Sequence, residues 1–263
     1  MTKIFNYRDH CFGIPNIEKY SEVPAPGMSP ETLYNQTVAL SFWQRERSWI
    51  TERMSMPTEL LLEWKLRRIS QLVDYAFMNI SFYKSIYTNV GFELGGIKSW
   101  SDFESLPIVT KNDMIANFPN NVVAAGFDRN NCRLIRSSGS SGKPVSLFVD
   151  RWREDLDTIY RMRAFERMGN FTLNPNDWTY SIHHGVWPYS SLLGNYPVFT
   201  ISQDCPAIDI AKHIGLLRPK VISSIASFLT RLADTGIKLD ELGVKFVSSN
   251  SETSTLNERL KLE

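Results

Sequence analysis

The sequence of 263 residues has few cysteines, and none lies in an arrangement that would make it structural or metal-binding. Cys11, Cys132 and Cys205 are far apart, odd in number and outside any Cys-x-x-Cys pair. A disulfide framework needs paired cysteines, and a zinc site needs closely spaced cysteine or histidine ligands, so neither is predicted. We expect three reduced thiols, and no residue pattern predicts a metal site.

The chain also lacks an excess of charge, because 29 Lys and Arg residues face 28 Asp and Glu residues and leave a formal net charge of +1. This balance excludes the broad positive surface expected of a nucleic-acid binder or of a protein attracted to anionic membranes. The stretch Met1–Tyr20 mixes charged and apolar residues and predicts neither a secretory signal nor a transmembrane span. We therefore expect a cytoplasmic protein whose partners are neither nucleic acids nor membranes.

Apolar residues, by contrast with cysteines and with excess charge, are plentiful. Hydrophobic residues make up 43% of the chain, aromatic residues 12% and charged residues 22%, and there are 7 Trp. This is the composition of a folded, well-packed chain, long enough for one large domain or two ordinary ones. The high aromatic content favours a large core.

The first half of the chain has the residue pattern of helices. Ser29-Pro30-Glu31 supplies a capping residue, a first-turn proline and an acid, and predicts a helix that ends before Pro57. A second helix is predicted from Thr58 up to Gly91, with one buried stripe of apolar residues at three- and four-residue spacing. That stripe comprises Leu62, Leu66, Ile69, Leu72, Val73, Ala76, Phe77 and Ile80. Thr110 is expected to cap a further short helix.

From Cys132 onwards, short β-prone runs alternate with helical runs. Cys132–Arg136 and Val145–Val149 predict a hairpin, followed by a helix that Asp150 caps and Gly169 ends. The predicted order is then strand 178–182, strand 198–202, helix 207–217, strand 221–224, helix 228–235, strand 244–248 and a last helix after residue 254. Such alternation predicts an α/β fold with a largely parallel sheet covered by helices.

The most informative segment is the hairpin loop Ser137-Ser138-Gly139-Ser140-Ser141-Gly142-Lys143-Pro144. Glycines allow sharp turns that bring backbone N–H groups near a phosphate, hydroxyls donate further hydrogen bonds, and a lysine supplies positive charge. The segment therefore predicts a phosphate-binding loop. It is not a Walker A loop, because only two residues separate its glycines and Pro144 follows the lysine. A flexible hairpin loop without a ligand is the alternative interpretation.

This loop resembles the phosphate-binding signature of the adenylate-forming enzymes. Gly-Lys-Pro, followed by an alternating strand and an Asp, is most similar to the branch of phenylacetate-CoA ligase and the capsule-biosynthesis protein CapK. Further similar segments occur in the order of that branch: Phe82-Tyr83-Lys84, Leu106–Lys111 with Asp113, Arg218–Val221, Ser227–Leu229 with Leu232-Ala233, and Val247–Glu252. The resemblance extends through nearly the whole chain.

The resemblance implies a helical amino-terminal region over residues 1–125 that packs on the core, and a partial AMP-binding α/β core over residues 126–263. It also implies activation of a small-molecule carboxylic acid by ATP and Mg²⁺, giving an acyl-adenylate that passes to coenzyme A or another thiol. Aromatic, sugar-linked and lipid acids are all open as substrates.

The resemblance also assigns residues to the nucleotide. Those carried over to the phosphates are Ser137, Ser138, Gly139, Ser140, Ser141, Gly142 and Lys143. Asn250, Ser251 and Glu252 lie in the turn that borders the adenine in this family, where Asn250 and Ser251 replace the usual Gly-Ala and add bulk. An acid ahead of a helix also suits the helix dipole, so a structural role for Glu252 is equally open.

The segment Ser181–Trp187 follows a predicted strand, at the edge where open α/β sheets place ligands. In the family this region borders the acyl pocket, so the resemblance assigns His183, His184, Gly185 and Trp187 to that pocket, with a histidine contacting the carboxylate. A hydrogen-bonded structural pair of histidines is the alternative. No third ligand at suitable spacing makes the pair a metal site.

The resemblance stops at Glu263, and the family's later nucleotide-contacting segments, hinge and carboxy-terminal lid domain are expected outside this sequence. We therefore expect the amino-terminal part of a longer ligase, inactive alone. A non-catalytic nucleotide-binding or assembly module, as in polysaccharide biosynthesis, is the alternative, and an unrelated phosphate-binding α/β protein is a third hypothesis.

The first predicted helix carries two tryptophans, Trp43 and Trp49, beside arginines. These residues allow an interface in a homodimer, although a solvated helix face also explains them.

Overall fold

Contacts divide the protein into two units. The computed structural model describes residues 7–21, 30–137, 142–184 and 191–262. The larger unit comprises residues 1–48 and 155–263, and the smaller unit comprises residues 49–154. The organisation predicted from the sequence, with its boundary after residue 125, stays a prediction.

Helices and strands alternate in the second half of the chain, as the sequence predicts. The helices of the described residues are α1 (Pro15–Tyr20), α2 (Pro30–Glu52), α3 (Thr58–Asn79), α4 (Ser81–Thr88), α5 (Trp100–Glu104), α6 (Lys111–Asn117), α7 (Arg151–Gly169), α8 (Ala207–Leu217), α9 (Ala226–Ala233) and α10 (Leu256–Leu262). The strands are β1 (Cys132–Arg136), β2 (Ser146–Asp150), β3 (Thr179–His183), β4 (Val198–Ser202), β5 (Val221–Ser224) and β6 (Phe246–Ser249). Among the helices described, none has the length and apolar composition needed to cross a bilayer.

The larger unit is built on a parallel sheet with the strand order β4-β3-β5-β6. The two central strands, β3 and β5, are buried at every position except His183. Strands of a parallel sheet that are covered on both faces have such continuous buried runs. The α/β fold and the largely parallel sheet predicted from the sequence are therefore confirmed.

Alternate side chains of this sheet enter two different cores, because successive residues of a strand point to opposite faces. The core with α8 and α9 receives Tyr180, Ile182, Phe199, Ile201 and Ile222. The core with α2 and α7 receives Val198 and Val221, which pack with residues such as Trp43 and Ile159. His183 and Ser223 stand at alternate positions from Ile182 and Ile222, so they lie on the α7 face.

An ion pair joins α2 to α7 within the larger unit. The guanidinium of Arg47 contacts the carboxylate of Glu166, and a second Arg47 nitrogen, Nε, donates to Glu166 Oε2 over 3.2 Å. The backbone N–H of Leu173 donates to Glu166 Oε1 over 2.7 Å. One carboxylate therefore holds a side chain of α2 and the loop that follows α7.

The smaller unit differs from the sequence-based prediction at one helix. Ile80 is extended (φ −123°, ψ 113°), so α3 ends at Asn79 and a separate α4 begins, where the spacing predicts one helix up to Gly91. The backbone N–H of Phe82 donates to the carbonyl of Asn121 over 3.0 Å, a contact that a continuous helix would not make.

The same break explains a second difference, in the predicted buried stripe of α3. Leu62 and Leu72 are 42% and 65% exposed, whereas Val73 and Ala76 are buried. The core of this unit forms instead around Val73, Tyr87 and Ile97, because α4 folds back on one side of α3. Leu62 and Leu72 are not among the residues of that core.

The predicted hairpin and helix caps of the smaller unit are confirmed. Strands β1 and β2 pair antiparallel, with Arg136 opposite Ser146. Thr110 caps α6 in a reciprocal capping box with Asp113. At the start of α7, the carboxylate of Asp150 accepts a hydrogen bond of 2.7 Å from the backbone N–H of Arg153.

Candidate functional site at the carboxyl edge of the sheet

Polar side chains from three neighbouring strand ends meet at the carboxyl edge of the parallel sheet. His183 is the last residue of β3, Ser223 lies near the end of β5, and Asn250 follows β6. Ser223 Oγ is 3.4 Å from His183 Nε2 and 3.3 Å from Asn250 Nδ2. Open α/β sheets bind their ligands at this edge. The structure therefore brings two predicted site residues, His183 and Asn250, together on a third side chain.

The sheet face that leads to this edge is lined by hydroxyl groups. Its buried polar side chains are Thr179, Ser181, Thr200 and Ser223. Sequence reasoning missed Ser223 as a site residue. Strands β3 and β4 carry polar residues at every second position of otherwise apolar runs, which marks one polar face. Strand β5 ends in two consecutive serines, Ser223 and Ser224, so its own sequence does not indicate which of them lies on that face.

His183 is the half-buried group at the centre of this edge. Burial lowers the pKa of its imidazole, and the nearby Arg161 and His184 lower the pKa further. The ring is therefore neutral at neutral pH, with one donor nitrogen and one acceptor nitrogen. It can orient an oxygen atom of a ligand without adding charge to the site.

His184 is exposed and turns to a different partner. Its ring nitrogen Nε2 contacts the side-chain amide of Gln203, which follows β4. The backbone carbonyl of Gln203 accepts a hydrogen bond of 3.4 Å from the guanidinium of Arg231. Gly185 and Trp187, which the resemblance also assigns to the acyl pocket, lie outside the described residues, and their roles stay predictions.

The turn after β6 is held by hydrogen bonds of its own. The backbone N–H of Asn250 donates to the carbonyl of Ser224 over 3.0 Å, and Ser251 Oγ donates to Asn250 Oδ1 over 3.0 Å. Ser251 adopts a left-handed backbone conformation with φ 64°. The side chain of Asn250 is thus fixed at both ends of its amide, by Ser223 and by Ser251.

Glu252 contacts the first turn of α9. Its Oε2 accepts a hydrogen bond of 2.9 Å from the backbone N–H of Ser227. The cap residue of this helix, Ile225, offers no side-chain acceptor, so Glu252 satisfies a donor at the positive end of the helix. This contact supports the structural interpretation of Glu252, and its role beside the adenine stays a prediction.

The serine-glycine loop belongs to the smaller unit and closes the β1-β2 hairpin. The backbone N–H of Ser137 donates to the carbonyl of Val145 over 2.9 Å, and the N–H of Val145 donates to Ser137 Oγ over 2.9 Å. Gly142 has φ +129°, a conformation that L side chains rarely adopt, and both Gly142 and Lys143 are exposed. Ser138, Gly139, Ser140 and Ser141 lie outside the described residues. The Ser137 hydroxyl therefore has a structural partner within its own hairpin.

The described residues do not form a metal site of their own. In the ranges that the structure describes, no three His, Cys, Asp or Glu side chains come together as a metal site requires. Mg²⁺ usually keeps several waters and binds one or two carboxylates together with substrate phosphates. A site of this kind is thus compatible with Mg²⁺ that is bound mainly through the phosphates of a nucleotide. It does not have the cluster of protein ligands, among the described residues, that would hold a metal ion without a nucleotide.

The chain was compared with known proteins. No family model matches it. It is 27% identical over 218 residues to the phenylacetate-coenzyme A ligase of Thermus thermophilus, a match that covers 78% of this chain and 47% of that protein. The resemblance to phenylacetate-CoA ligases that the sequence motifs predict is thereby confirmed for part of the chain.

Solved structures with a similar fold include those of 2-hydroxyisobutyryl-CoA ligase. Its open conformation in complex with 2-HIB-AMP and CoA has a TM-score of 0.62 at 19% identity, covering 79% of this chain and 48% of that one. The structure in the thioesterification state has a TM-score of 0.61 at 19% identity and covers 79% and 47%. The fold is therefore that of CoA ligases, and the chain spans about half the length of the relatives it matches.

Proposed function

We propose that this chain forms the nucleotide- and acid-binding part of an ATP-dependent acid–thiol ligase that proceeds through an acyl-adenylate. The observation that carries the proposal is the polar carboxyl edge, where His183 and Asn250 converge on Ser223. The similar fold of a CoA ligase whose structures contain an acyl-AMP and CoA supports the same chemistry here. Because one fold hosts many functions, the assignment depends on this site.

The proposed reaction has two steps. A carboxylate oxygen of the acid attacks the α-phosphorus of ATP, and the bond from that phosphorus to the bridging oxygen breaks, giving acyl-adenylate and pyrophosphate. The thiolate of coenzyme A then attacks the acyl carbon, AMP leaves with the electrons of the C–O bond, and the thiol proton passes to solvent. The task of the protein is to hold the carboxylate in line and to place hydrogen-bond donors where negative charge develops.

Each group of residues has a part in this proposal. The exposed Lys143 and the backbone around Gly142 would contact the β- and γ-phosphates, together with Ser137, Ser138, Gly139, Ser140 and Ser141. Asn250, Ser251 and Glu252 would border the adenine, and His183, with His184, Gly185 and Trp187, would line the acid pocket. Mg²⁺, when bound, would neutralise phosphate charge, and coenzyme A is the proposed acceptor.

The proposal extends to the setting of the chain. Because this chain spans about half the length of the relatives it matches, we assign it to the amino-terminal part of a longer ligase, as the sequence motifs predict. The division after residue 125 and the cytoplasmic location are kept in the proposal as the sequence predicts them. The substrate in this proposal is a small-molecule carboxylic acid.

Two measurements test the proposal. Isothermal titration of the chain with a non-hydrolysable acyl-adenylate, phenylacetyl-sulfamoyl-adenosine, is expected to show saturable binding that His183→Ala weakens. Arg67→Ala, at an exposed position of the smaller unit, is the control and should leave the binding unchanged. A chain that binds neither this compound nor ATP would contradict the proposal. Pyrophosphate exchange into ATP, measured with a panel of carboxylic acids, then addresses the chemical step.

The exchange assay separates the proposed ligase from a non-catalytic module. We expect acid-dependent exchange only when a polypeptide also supplies the part of the relatives that this chain does not span. Exchange by the chain alone would show that the further part is dispensable for adenylation. Binding without exchange in the longer protein would favour the nucleotide-binding or assembly module.

A further inference from the structure

Three side chains from separate strand ends form a short hydrogen-bonded row at the sheet edge. Asn250 Nδ2 lies 3.3 Å from Ser223 Oγ, and the same oxygen lies 3.4 Å from His183 Nε2. Ser223 is 3% exposed, so its hydroxyl is shielded from water. Asn250 is exposed, and its amide oxygen is occupied by the hydroxyl of Ser251.

With the amide of Asn250 oriented so that Nδ2 faces Ser223 and Oδ1 faces Ser251, the row favours one direction of hydrogen bonding. An amide NH₂ group only donates, so the Ser223 oxygen accepts from Asn250. A buried hydroxyl that accepts one hydrogen bond still has its own proton to donate. Among the described residues, His183 Nε2 is the acceptor within reach of that proton. This direction requires an unprotonated Nε2, with the proton of the neutral ring on Nδ1.

From this geometry we propose that Asn250, acting through Ser223, holds His183 as the Nδ1–H tautomer, so that Nδ1–H is the donor for the carboxylate of the acid substrate. The second half of this inference rests on the function proposed above. Asn250 and Ser223 are positioning residues in this scheme, because they act on the ligand only through the ring of His183.

The surroundings of His183 agree with a neutral ring. The titratable and charged groups that act on it are Arg161 of α7 and the neighbouring His184, and both disfavour the imidazolium, as burial does. A neutral imidazole with a fixed tautomer can orient a carboxylate oxygen without transferring a proton to it. Asn250 thus has a role at a position where the resembled family has a small residue.

The test is to observe the tautomer directly. The chain is labelled with ¹⁵N-histidine, and long-range ¹H–¹⁵N correlation spectra at neutral pH distinguish protonated from unprotonated ring nitrogens of its four histidines. His183→Gln identifies the signals of His183 by their loss. We expect a protonated Nδ1 and an unprotonated Nε2.

Two variants test the row itself. In Ser223→Ala the proton is expected to move to Nε2, the site that free histidine side chains favour in water. In Asn250→Ala, an exposed position whose replacement leaves the fold intact, a second population with Nε2–H is expected, because Ser223 regains a free acceptor site. Ser249→Ala removes a nearby exposed hydroxyl outside the row and is expected to change nothing. An Nε2–H ring in the unsubstituted chain, or an Nδ1–H ring unchanged in Asn250→Ala, overturns the proposal.

The ligand step is tested separately. Addition of phenylacetyl-sulfamoyl-adenosine is expected to shift the Nδ1 and Hδ1 signals of His183, and binding of this compound without such a shift would contradict the donor role. The tautomer of His183 is measured without ligand, so it can be confirmed even if the chain binds no acyl-adenylate. Conversely, the chain can bind the acyl-adenylate analogue even if His183 has the other tautomer.

Discussion

The phenol hydroxyl of Tyr180 in β3 donates a hydrogen bond of 2.7 Å to Nδ1 of the buried His213 in α8. The other ring nitrogen of His213, Nε2, lies 2.6 Å from the backbone carbonyl of His10. Because a carbonyl only accepts, Nε2 must carry the proton and Nδ1 must accept from Tyr180. A neutral histidine therefore connects β3, one of the two central strands of the sheet, to the helix α8 that covers it and to the first described segment of the chain.

This arrangement predicts a loss of stability in mild acid. Burial lowers the pKa of His213 from 6.5 to about 4. Between these values the unfolded chain binds a proton that the folded chain does not, so stability is fully present above pH 6.5 and falls as the pH decreases towards 4. The difference corresponds to roughly 3 kcal/mol in the free energy of unfolding. Urea unfolding at several pH values between 4 and 7 measures it.

His213→Gln is the variant for this prediction, because glutamine keeps a donor and an acceptor but does not titrate. Its stability should depend less on pH than that of the unsubstituted chain, with His10 and His183, whose pKa values are also lowered, retaining part of the slope. His184→Gln, at an exposed position, serves as the control. Parallel profiles for the His213 variant and the unsubstituted chain would disprove the role of this ring.

The Arg47–Glu166 pair predicts a cost for removing the cation. Only 12% of the Glu166 side chain is exposed, and burial raises the pKa of its carboxyl despite the opposing effects of Leu173 and Arg47. Arg47→Met would leave this carboxylate without its cation and should lower the free energy of unfolding by about 1–3 kcal/mol. Arg45→Met, at an exposed position of the same helix, should have little effect. In the Arg47→Met background, Glu166→Gln should recover part of the loss, and an additive double variant would contradict the coupling.

Lys143 is expected to affect nucleotide binding without affecting the stability of the fold. Lys143 is exposed, so Lys143→Ala should leave the thermal midpoint unchanged while weakening ATP binding about tenfold, the loss expected for one charge-assisted contact. Lys84→Ala, also exposed in the smaller unit, is the matched control. Equal ATP affinities for the Lys143 variant and the unsubstituted chain, measured by titration calorimetry, would remove this lysine from the phosphate site.

Ser137→Ala should act on the hairpin, because the N–H of Val145 loses its acceptor. Faster amide hydrogen exchange in β1 and β2 is the expected result, and Ser137→Thr, which keeps the hydroxyl, should restore the protection. Unchanged exchange in Ser137→Ala would show that the Ser137 hydroxyl does not stabilise the base of this loop.

Glu252 offers a graded test of its contact with α9. Glu252→Ala removes both the charge and the hydrogen bond to Ser227 and should lower the free energy of unfolding by about 1 kcal/mol. Glu252→Gln keeps an acceptor and should lose about half as much, whereas Glu241→Ala, an exposed acid elsewhere in the unit, should lose little. If all three variants unfold at the same denaturant concentration as the unsubstituted chain, Glu252 does not stabilise the helix.

Much of the larger unit is predictable from local sequence. Strand β4, helix α8 and strand β5 have the bounds that the sequence predicts, because each apolar run is ended by proline, by a polar residue or by a change of period. The break at Ile80 could not be predicted in this way. The apolar spacing continues across it, and the hydrogen bond that stabilises the break joins Phe82 to Asn121, far along the chain.

The candidate site shows the same contrast. The positions of His183 and Asn250 at strand ends follow from the predicted strands, but their common partner does not. Ser223 is 40 residues from His183 and 27 from Asn250, and only the strand order and register place its hydroxyl between them. A serine in a buried strand looks like any other small residue until the face on which it lies is known.

The amino-acid sequence by itself determined the parallel α/β character of the chain, the hairpin that carries the serine-glycine loop and the similarity to CoA ligases, because periodicity, turn residues and local motifs are short-range properties. Only the tertiary structure decided which polar groups share a hydrogen bond and which ionisable groups lose water. Those properties depend on the approach of residues that are distant in the chain, and the register of the sheet and the packing of its helices control that approach.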